Sequence, residues 1–272
     1  NIFFFAVVFY KNYFPYFIFF FVISVNYSCL SVLFINVTFF KFIYKVIFFK
    51  KIIMHKTVQN LISIQGLIKS KLLDLKEKKR IPTIIAVSKT FKIDHILPLV
   101  EYGHRHFGEN KVQEALEKWT EVKSKTSINL HLIGKLQTNK VKFAVKIFDF
   151  IHSLDNEKLA KKISDEQKKQ NRKPKIFIQI NLGDEDQKSG INKNNLKEFY
   201  NFSKDLGLDI IGLMCIPPFD ENPSKFFAKM NELNQLINLD ELSMGMSSDY
   251  LEALNYNATY LRIGSNIFGQ RS

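Results

Sequence analysis

The stretch "TIIAVSKTFK", residues 83–92, places a lysine directly after a short apolar run. The run from Ile84 to Val87 has the composition of a buried strand, since β-branched and apolar side chains pack well on a pleated surface. Polar residues begin at Ser88 and end the apolar pattern. The stretch therefore predicts a buried strand that presents the amine of Lys89 at its carboxyl end.

The same strand pattern returns along the chain, each time separated by a helical pattern. A helix after Met54 opens the region, and Pro82 precedes the first strand. Strands are predicted at 83–89, 104–109, 129–134, 148–154, 175–182, 208–216, 241–246 and 259–264. Helices are predicted between them at 94–102, 111–124, 138–147, 156–170, 192–205, 223–238 and 248–256.

Eight strands separated by seven helices match the count of a (β/α)₈ barrel, and alternation of this kind implies parallel strands. A doubly wound sheet is the alternative architecture. Such a sheet usually has a glycine-rich turn after its first strand, whereas the turn here begins Ser88-Lys89 and contains no glycine. We therefore predict an α/β protein whose residues 54–272 form a single (β/α)₈ TIM barrel.

Residues 1–53 differ in composition from the rest of the chain. They hold 15 of the 27 phenylalanines, five lysines and no acidic residue, and 29 uncharged residues lie between Lys11 and Lys41. A run of that length is long enough for a transmembrane helix, so a membrane anchor is one interpretation. The other is an upstream extension, since Met54 is the first methionine and AT-rich DNA encodes such a composition. We expect residues 1–53 to lie outside the working protein.

Cysteine and histidine usage excludes several classes of site. Cys29 and Cys215 are the only cysteines, so no disulfide framework or CxxC metal site exists. The six histidines show no HExxH metal spacing, and His104 and His106, which alternate along one predicted strand, are interpreted as polar residues near the end of that strand. We expect no metal site and a reduced, cytoplasmic protein.

The positive charge is the feature that would suggest nucleic-acid binding. Residues 54–272 carry 34 Lys and Arg against 26 Asp and Glu, a net charge of +8. These lysines are spread along helices among acids, as in "LEKWTEVKSK", and no aromatic platform accompanies them. The pattern is typical of a solvated helix surface, so we expect no nucleic-acid partner.

The carboxyl ends of the predicted strands are where a barrel places its active site. An amine that is partly desolvated there has a lowered pKa and becomes nucleophilic toward an aldehyde. After the last strand, Gly264-Ser265 opens a short helix whose N–H groups and hydroxyl suit a phosphate. An amine for an aldehyde at Lys89 and donors for a phosphate together predict a site for pyridoxal 5′-phosphate (PLP).

Seven motifs in this chain resemble the YggS/PROSC family of pyridoxal phosphate homeostasis proteins. They cover the chain from about Met54 to its end, and as a set they are highly specific. The resemblance implies the barrel of the alanine racemase N-terminal domain. It also implies a PLP-binding protein that buffers the cofactor and delivers it to PLP-dependent apo-enzymes. The motifs are "AVSKT", "FGEN", "LIGKLQTNK", "KSGI", "GLMCIPP", "LSMGMSSD" and "RIGSNIFG".

The resemblance also assigns roles to individual residues. Lys89 matches the lysine that forms the Schiff base, and Arg262 matches the arginine beside the pyridine nitrogen. Gly264 and Ser265, together with Ser243, match positions that bind the phosphate. Asn110 of "FGEN" lines the same mouth. Members often have Thr at the position of Ser265 and Trp or Tyr at that of Leu130, and neither change removes a group that the cofactor needs.

A PLP-dependent amino-acid racemase is the alternative function. Racemisation needs a second acid/base on the cofactor face opposite the lysine, and racemases take that group from an added domain. An arginine beside the pyridine nitrogen would also leave this nitrogen unprotonated and weaken carbanion chemistry. We therefore expect cofactor binding without turnover.

Overall fold

The computed structural model describes residues 54–75, 80–183, 189–218 and 220–270. The interpretations of residues 1–53 and the role of Lys188 in the "KSGI" motif lie outside the described residues. Within the described ranges, no helix combines the length and apolar character needed to cross a bilayer.

Nine strands are present in this part of the chain, and eight of them match the predicted segments. They are β1 Thr83–Val87, β2 His106–Glu109, β3 Asn129–Leu132, β4 Phe150–Leu154, β5 Lys175–Asn181, β6 Ile191–Asn192, β7 Asp209–Met214, β8 Glu241–Met246 and β9 Tyr260–Ile263. The α-helices are α1 Lys56–Asp74, α2 Ile93–Tyr102, α3 Val112–Lys125, α4 Val141–Ile147, α5 Glu157–Gln170, α6 Leu196–Asp205, α7 Pro223–Leu236, α8 Tyr250–Ala253 and α9 Ser265–Phe268.

The strands form a closed parallel barrel. β1 pairs with β2 on one side and with β9 on the other, and the pairing of β4 with β5 completes the ring. The predicted (β/α)₈ barrel is therefore confirmed. The additional strand β6 pairs only with β5. It was not predicted, because two residues are too few to produce a periodic pattern.

Local side chains explain where several helices begin. Asn156 caps α5, with its side-chain oxygen accepting a hydrogen bond from the N–H of Leu159 at 2.9 Å. Asn222 caps α7 in the same way, and Pro223 follows in the first helical position. Both starts have the residue types that favour helix N-termini, because the cap satisfies an N–H that has no partner within the helix.

The barrel interior is partly apolar and partly polar. Its apolar cluster consists of five buried residues, namely Ile85, Phe150, Phe177, Met214 and Tyr260. Polar side chains of four strands are buried in the same interior, namely His131, His152, Ser243 and Arg262. Buried polar groups are costly unless hydrogen-bonded, so the hydrogen bonds of these four polar side chains determine which ligands the interior can bind.

Candidate functional site

The turn that carries Lys89 follows β1 directly, as the sequence predicts. Lys89 is partly buried, and the N–H of Phe91 closes the turn on the carbonyl of Ser88 at 3.2 Å. Thr90 has a left-handed backbone with φ of 70°. Such a conformation is rare for a β-branched residue and persists only where the surroundings hold it. The turn is therefore fixed by contacts outside itself.

A buried carboxylate, that of Glu109, supplies part of this support. Its Oε1 atom accepts hydrogen bonds from the hydroxyl of Ser88 at 2.7 Å and from the indole N–H of Trp119 at 3.0 Å. The ammonium of Lys118 lies 2.7 Å from the same oxygen. Because Ser88 precedes Lys89, these bonds attach the lysine turn to β2 and α3.

Lys118 and Glu114 hold the turn from the helix side. The ammonium of Lys118 donates to the carbonyl of Ser88 at 2.9 Å and to that of Phe91 at 3.3 Å. Glu114 accepts from the N–H of Thr90 at 2.5 Å and from Lys118 at 2.8 Å. Both ends of the strained turn are thus bonded to charged groups of α3, which form stronger hydrogen bonds than neutral ones.

Glu109 is the buried group whose charge depends most on this arrangement. It is 0% exposed, and its Oε2 atom has no hydrogen-bond partner among the described residues. Burial raises the pKa of the Glu109 carboxyl, while Lys118, Trp119 and Ser88 oppose that shift. Sequence reasoning missed this cluster, although a glutamate at the end of a buried strand in "FGEN" was a usable signal.

We predict that Lys118→Met destabilises the protein by about 3–5 kcal/mol, since it leaves the buried Glu109 carboxylate without its counter-charge. Lys118 is 11% exposed. Lys125→Met on the same helix is the matched control, because Lys125 is 70% exposed and pairs only at the surface with Glu121. That control should cost about 0.5 kcal/mol or less. Urea unfolding measures both, and equal losses would contradict the assignment.

Arg262 places a positive charge inside the barrel. It is 4% exposed, and its guanidinium donates to the hydroxyl of Ser243 at 2.7 Å and to the carbonyl of Cys215 at 2.8 Å. Burial lowers the pKa of this guanidinium, and Cys215 and Asp249 oppose the shift, but an arginine remains charged in proteins. Among the described residues it has no carboxylate ion-pair partner, so the charge is available to an anionic or electron-rich ligand.

Backbone N–H groups converge on one hydroxyl after β9. The N–H of Gly264 donates to the Oγ atom of Ser247 at 3.2 Å, and that of Asn266 lies 3.5 Å from the same atom. The side-chain amide of Asn266 donates to the carbonyl of Ser247 at 2.9 Å. Ser247 therefore contacts the N–H groups that a phosphate would use. It is a candidate site residue that sequence reasoning missed, although it lies in the quoted motif "LSMGMSSD".

The fold brings Lys89 and Gly264 to the same edge of the barrel. Their strands, β1 and β9, are neighbours in register, and a Cβ added at Gly264 would lie 3.4 Å from that of Val87. Lys89 is two residues beyond Val87, and the exposed Ser265 follows Gly264. Three of the predicted residues thus lie at adjacent strand ends.

Asn110 follows β2 and is partly buried. Its backbone lies so close to the segment after β3 that a Cβ at Gly134 would come within 2.4 Å of the Asn110 carbonyl oxygen. Only glycine fits at position 134, and this close approach fixes the backbone of Asn110 at the carboxyl end of the barrel.

Ser243 lies apart from Gly264 and Ser265, which differs from the phosphate role expected for it. It is fully buried in β8, where its hydroxyl contacts Arg262. It pairs with Tyr260 of β9, which lies four residues before Gly264. Ser247, which follows β8, and not Ser243 therefore lies beside the N–H groups at the start of the last helix.

Comparison with known proteins identifies relatives of the whole barrel. Residues 67–272 match the family model "Alanine racemase, N-terminal domain". A curated "Pyridoxal phosphate homeostasis protein" of Aquifex aeolicus is 38% identical over 198 residues, covering 69% of this chain and 86% of that protein. The protein of the same name from Pasteurella multocida is 36% identical over 226 residues, covering 78% of this chain and 97% of its own length.

Solved structures with the same fold include a relative of this chain and a more distant racemase. PipY of Synechococcus elongatus, determined with PLP bound, is 34% identical and matches with a TM-score of 0.65 over 74% of this chain and 100% of that chain. An alanine racemase of Clostridium difficile matches with a TM-score of 0.60 over 79% of this chain and 57% of its own. At 14% identity the racemase shares the fold alone.

Proposed function

Since this chain belongs to the family of pyridoxal phosphate homeostasis proteins, we propose that it binds PLP at the carboxyl ends of β1, β8 and β9. The barrel has the architecture of the alanine racemase N-terminal domain, and the solved relative PipY holds PLP. The proposed role is to store the cofactor inside the cell and release it.

The observation that carries this proposal is the charge of Arg262, which no carboxylate neutralises among the described residues. The two other sets of donors are the N–H groups at Gly264 and the amine of Lys89. Arg262 lies two residues before Gly264 in β9, and the turn of Lys89 follows the neighbouring strand. A buried guanidinium without a carboxylate partner is unfavourable unless another group compensates it. A ligand that carries a phosphate and a ring nitrogen fits this donor set.

Each residue would then have a defined contact. When bound, PLP supplies an aldehyde that an amine can capture covalently, and Lys89 offers that amine. The N–H groups at Gly264 and Ser265, with the hydroxyls of Ser265 and Ser247, would hold the phosphate. Arg262 would donate to the ring nitrogen. Asn110 would line the mouth of the barrel, and Ser243 would orient Arg262 by accepting its hydrogen bond.

A binding titration tests the proposal. PLP added to the full-length protein should bind saturably and produce a visible absorbance band from the protein-bound cofactor. Pyridoxal, which lacks the phosphate, should bind at least about a hundredfold more weakly, because several charge-assisted hydrogen bonds are lost. Equal affinities would exclude the phosphate site, and no saturable binding of PLP would exclude the function.

We propose that cofactor binding occurs without catalytic turnover. The residue assigned to the ring nitrogen is Arg262, which cannot protonate that nitrogen, and no carboxylate pairs with it among the described residues. The loaded protein should therefore racemise, transaminate or decarboxylate amino acids at far below ~1 s⁻¹, the low end of ordinary enzyme rates. Chiral chromatography after prolonged incubation measures this, and a rate of that order would contradict it.

The recipients, the location and the active segment are further parts of the proposal. PLP-dependent apo-enzymes are the proposed recipients, and the cytoplasm is the proposed location because the thiol of Cys215 is free and buried.

Residues 54–272 are proposed to contain the whole binding unit, since every element of the barrel lies within them. A 54–272 fragment should bind PLP as the full chain does. If only the full chain binds, residues 1–53 are required.

A further inference from the structure

Three histidine rings form a hydrogen-bonded row inside the barrel. Nδ1 of His106 lies 3.0 Å from Nε2 of His131, and Nδ1 of His131 lies 2.9 Å from Nε2 of His152. Nδ1 of His152 lies 2.8 Å from the hydroxyl of Ser243, which accepts a hydrogen bond from Arg262 at 2.7 Å. The histidine row, defined as His106, His131 and His152, therefore ends at the arginine of the proposed site.

Packing fixes the orientation of the two inner rings. His131 stacks on Phe150 with ring centroids 4.2 Å apart, and His152 stacks on Phe177 at 4.3 Å. Both histidines are fully buried, and the two rings of each stacking pair are nearly parallel, with interplanar angles of 15° and 20°. Rings held in this way keep their nitrogens aligned along the row.

The single proton of the Ser243 hydroxyl determines the direction of the row. Arg262 can only donate, so Ser243 accepts from it. Among the described residues, the only acceptor for the Ser243 O–H is Nδ1 of His152. His152 must then carry its proton on Nε2 and donate to His131, which in turn donates from Nε2 to His106.

The far end of the row can complete this order. Nε2 of His106 lies 3.4 Å from the side-chain amide of Asn129. The oxygen and nitrogen of such an amide are interchangeable in assignment, so Asn129 can offer its oxygen to the His106 N–H. Every member from Arg262 to Asn129 is then satisfied in one consistent direction.

Burial favours the neutral form of all three rings. Burial lowers the pKa of His131 and His152 far below the ordinary value, and the charge of Arg262 lowers that of His152 further. Burial also lowers the pKa of His106, against a smaller opposing effect of Asp149. A neutral imidazole donates from one nitrogen and accepts at the other, as the row requires.

We propose that His152, His131 and His106 are positioning residues for Arg262, acting through Ser243. In this order each N–H points away from Arg262, so the electronegative end of every dipole faces the guanidinium, and hydrogen bonds aligned in series strengthen one another. The row stabilises the buried cation without neutralising it, whereas a carboxylate would cancel its charge. The contact of Arg262 with a ligand rests on the proposed function, but the protonation order does not.

Long-range ¹H–¹⁵N spectra of the full-length protein, labelled on histidine, test the order directly. At neutral pH, and without added ligand, all three rings should be neutral and should carry the proton on Nε2. A charged ring, or a proton on Nδ1 of any of the three, would overturn the proposal.

PLP titrations of variants test the positioning. His152→Phe keeps a ring on Phe177 but removes both nitrogens, and it should weaken PLP binding roughly tenfold, the cost of about one hydrogen bond to a charged system. His152→Asn offers an oxygen near the lost Nδ1 and should restore most of the affinity. His104→Phe is the matched control, because His104 is largely buried but, among the described residues, its ring hydrogen-bonds only to the backbone, at His106 (2.8 Å) and at Ile84. It should bind as the unaltered protein does.

The outcomes separate this inference from the proposed function. If the unaltered protein binds no PLP, the proposed function fails while the protonation order stands or falls on the spectra. If it binds PLP and His152→Phe binds equally well, the positioning role of His152 is wrong. Should His152→Phe fail to fold, as judged by thermal unfolding, the spectra of the unaltered protein decide.

Discussion

Lys89→Ala should abolish covalent capture of PLP and leave the barrel folded. The amine of Lys89 is the only group assigned to the aldehyde, so no other side chain of the proposed site can replace it. The fold should persist, because Lys89 lies in a turn beyond β1 and contributes little to the apolar core. The visible band of the bound cofactor should therefore disappear, while the thermal unfolding temperature changes little.

Weak noncovalent binding should remain in this variant. The N–H groups at Gly264 and Ser265 and the guanidinium of Arg262 do not depend on the amine. Lys89→Arg should also lose the covalent link, since a guanidinium stays protonated and is no nucleophile at neutral pH. Lys135→Ala, at another strand end, is the control and should behave as the unaltered protein. Retention of the visible band in Lys89→Ala would refute the role of Lys89.

Acidification from pH 7 to pH 5 should cost the protein up to about 6 kcal/mol of unfolding free energy. In the folded state, burial lowers the pKa of His131 and His152 far below its usual value and that of His104 to about 4. The unfolded chain binds protons near pH 6.5, so below this pH it holds more protons than the folded chain. Each such histidine then contributes about 2 kcal/mol of destabilisation between these pH values.

Urea unfolding at the two pH values measures this effect, and His104→Phe isolates one contribution. Carboxyl groups also titrate in this range, and the pKa of Glu109 is shifted in the opposite sense. The comparison of the variant with the unaltered protein cancels those groups. The loss on acidification should be about 2 kcal/mol smaller in His104→Phe. An identical loss in both proteins would show that His104 is not held neutral by burial.

The barrel was predictable because the signals for its strands lie within short stretches of the sequence. β1 is a run of apolar and mostly β-branched residues that ends in a polar turn, β5 has a similar run, and β3 and β8 alternate apolar with polar or small residues. Lys89 was predictable for the same reason, since its position depends only on where β1 stops. Properties fixed by neighbouring residues can be read from one sequence.

The contacts between strands could not be read in this way. His131, His152 and Arg262 lie on three different strands, and nothing near any of them in the sequence indicates the others. Closure of the barrel brings these three side chains into one series of hydrogen bonds. The cluster around Glu109 and Lys118 depends in the same way on how α3 packs against β1 and β2.

The choice of the serine that would contact the phosphate shows a further limit of prediction from the sequence. The motif "LSMGMSSD" contains three serines, and the resemblance pointed to Ser243. In the structure, the register of β8 against β9 shifts between Ser243 and Met246, and Gly245 adopts a φ of 89° that other residues rarely accept. This irregularity at the end of β8 precedes Ser247, which contacts the N–H groups after β9. A deviation of this kind leaves no periodic signal in the sequence.

The central claim is that Lys89 holds PLP covalently, and chemical trapping tests it most directly. The full-length protein is loaded with PLP, reduced with borohydride to make the link permanent, digested and mapped by peptide mass spectrometry. The account predicts the added pyridoxyl mass on the peptide that contains Lys89. The same mass on the peptide of Lys135, Lys140 or Lys188, with Lys89 unmodified, would contradict it.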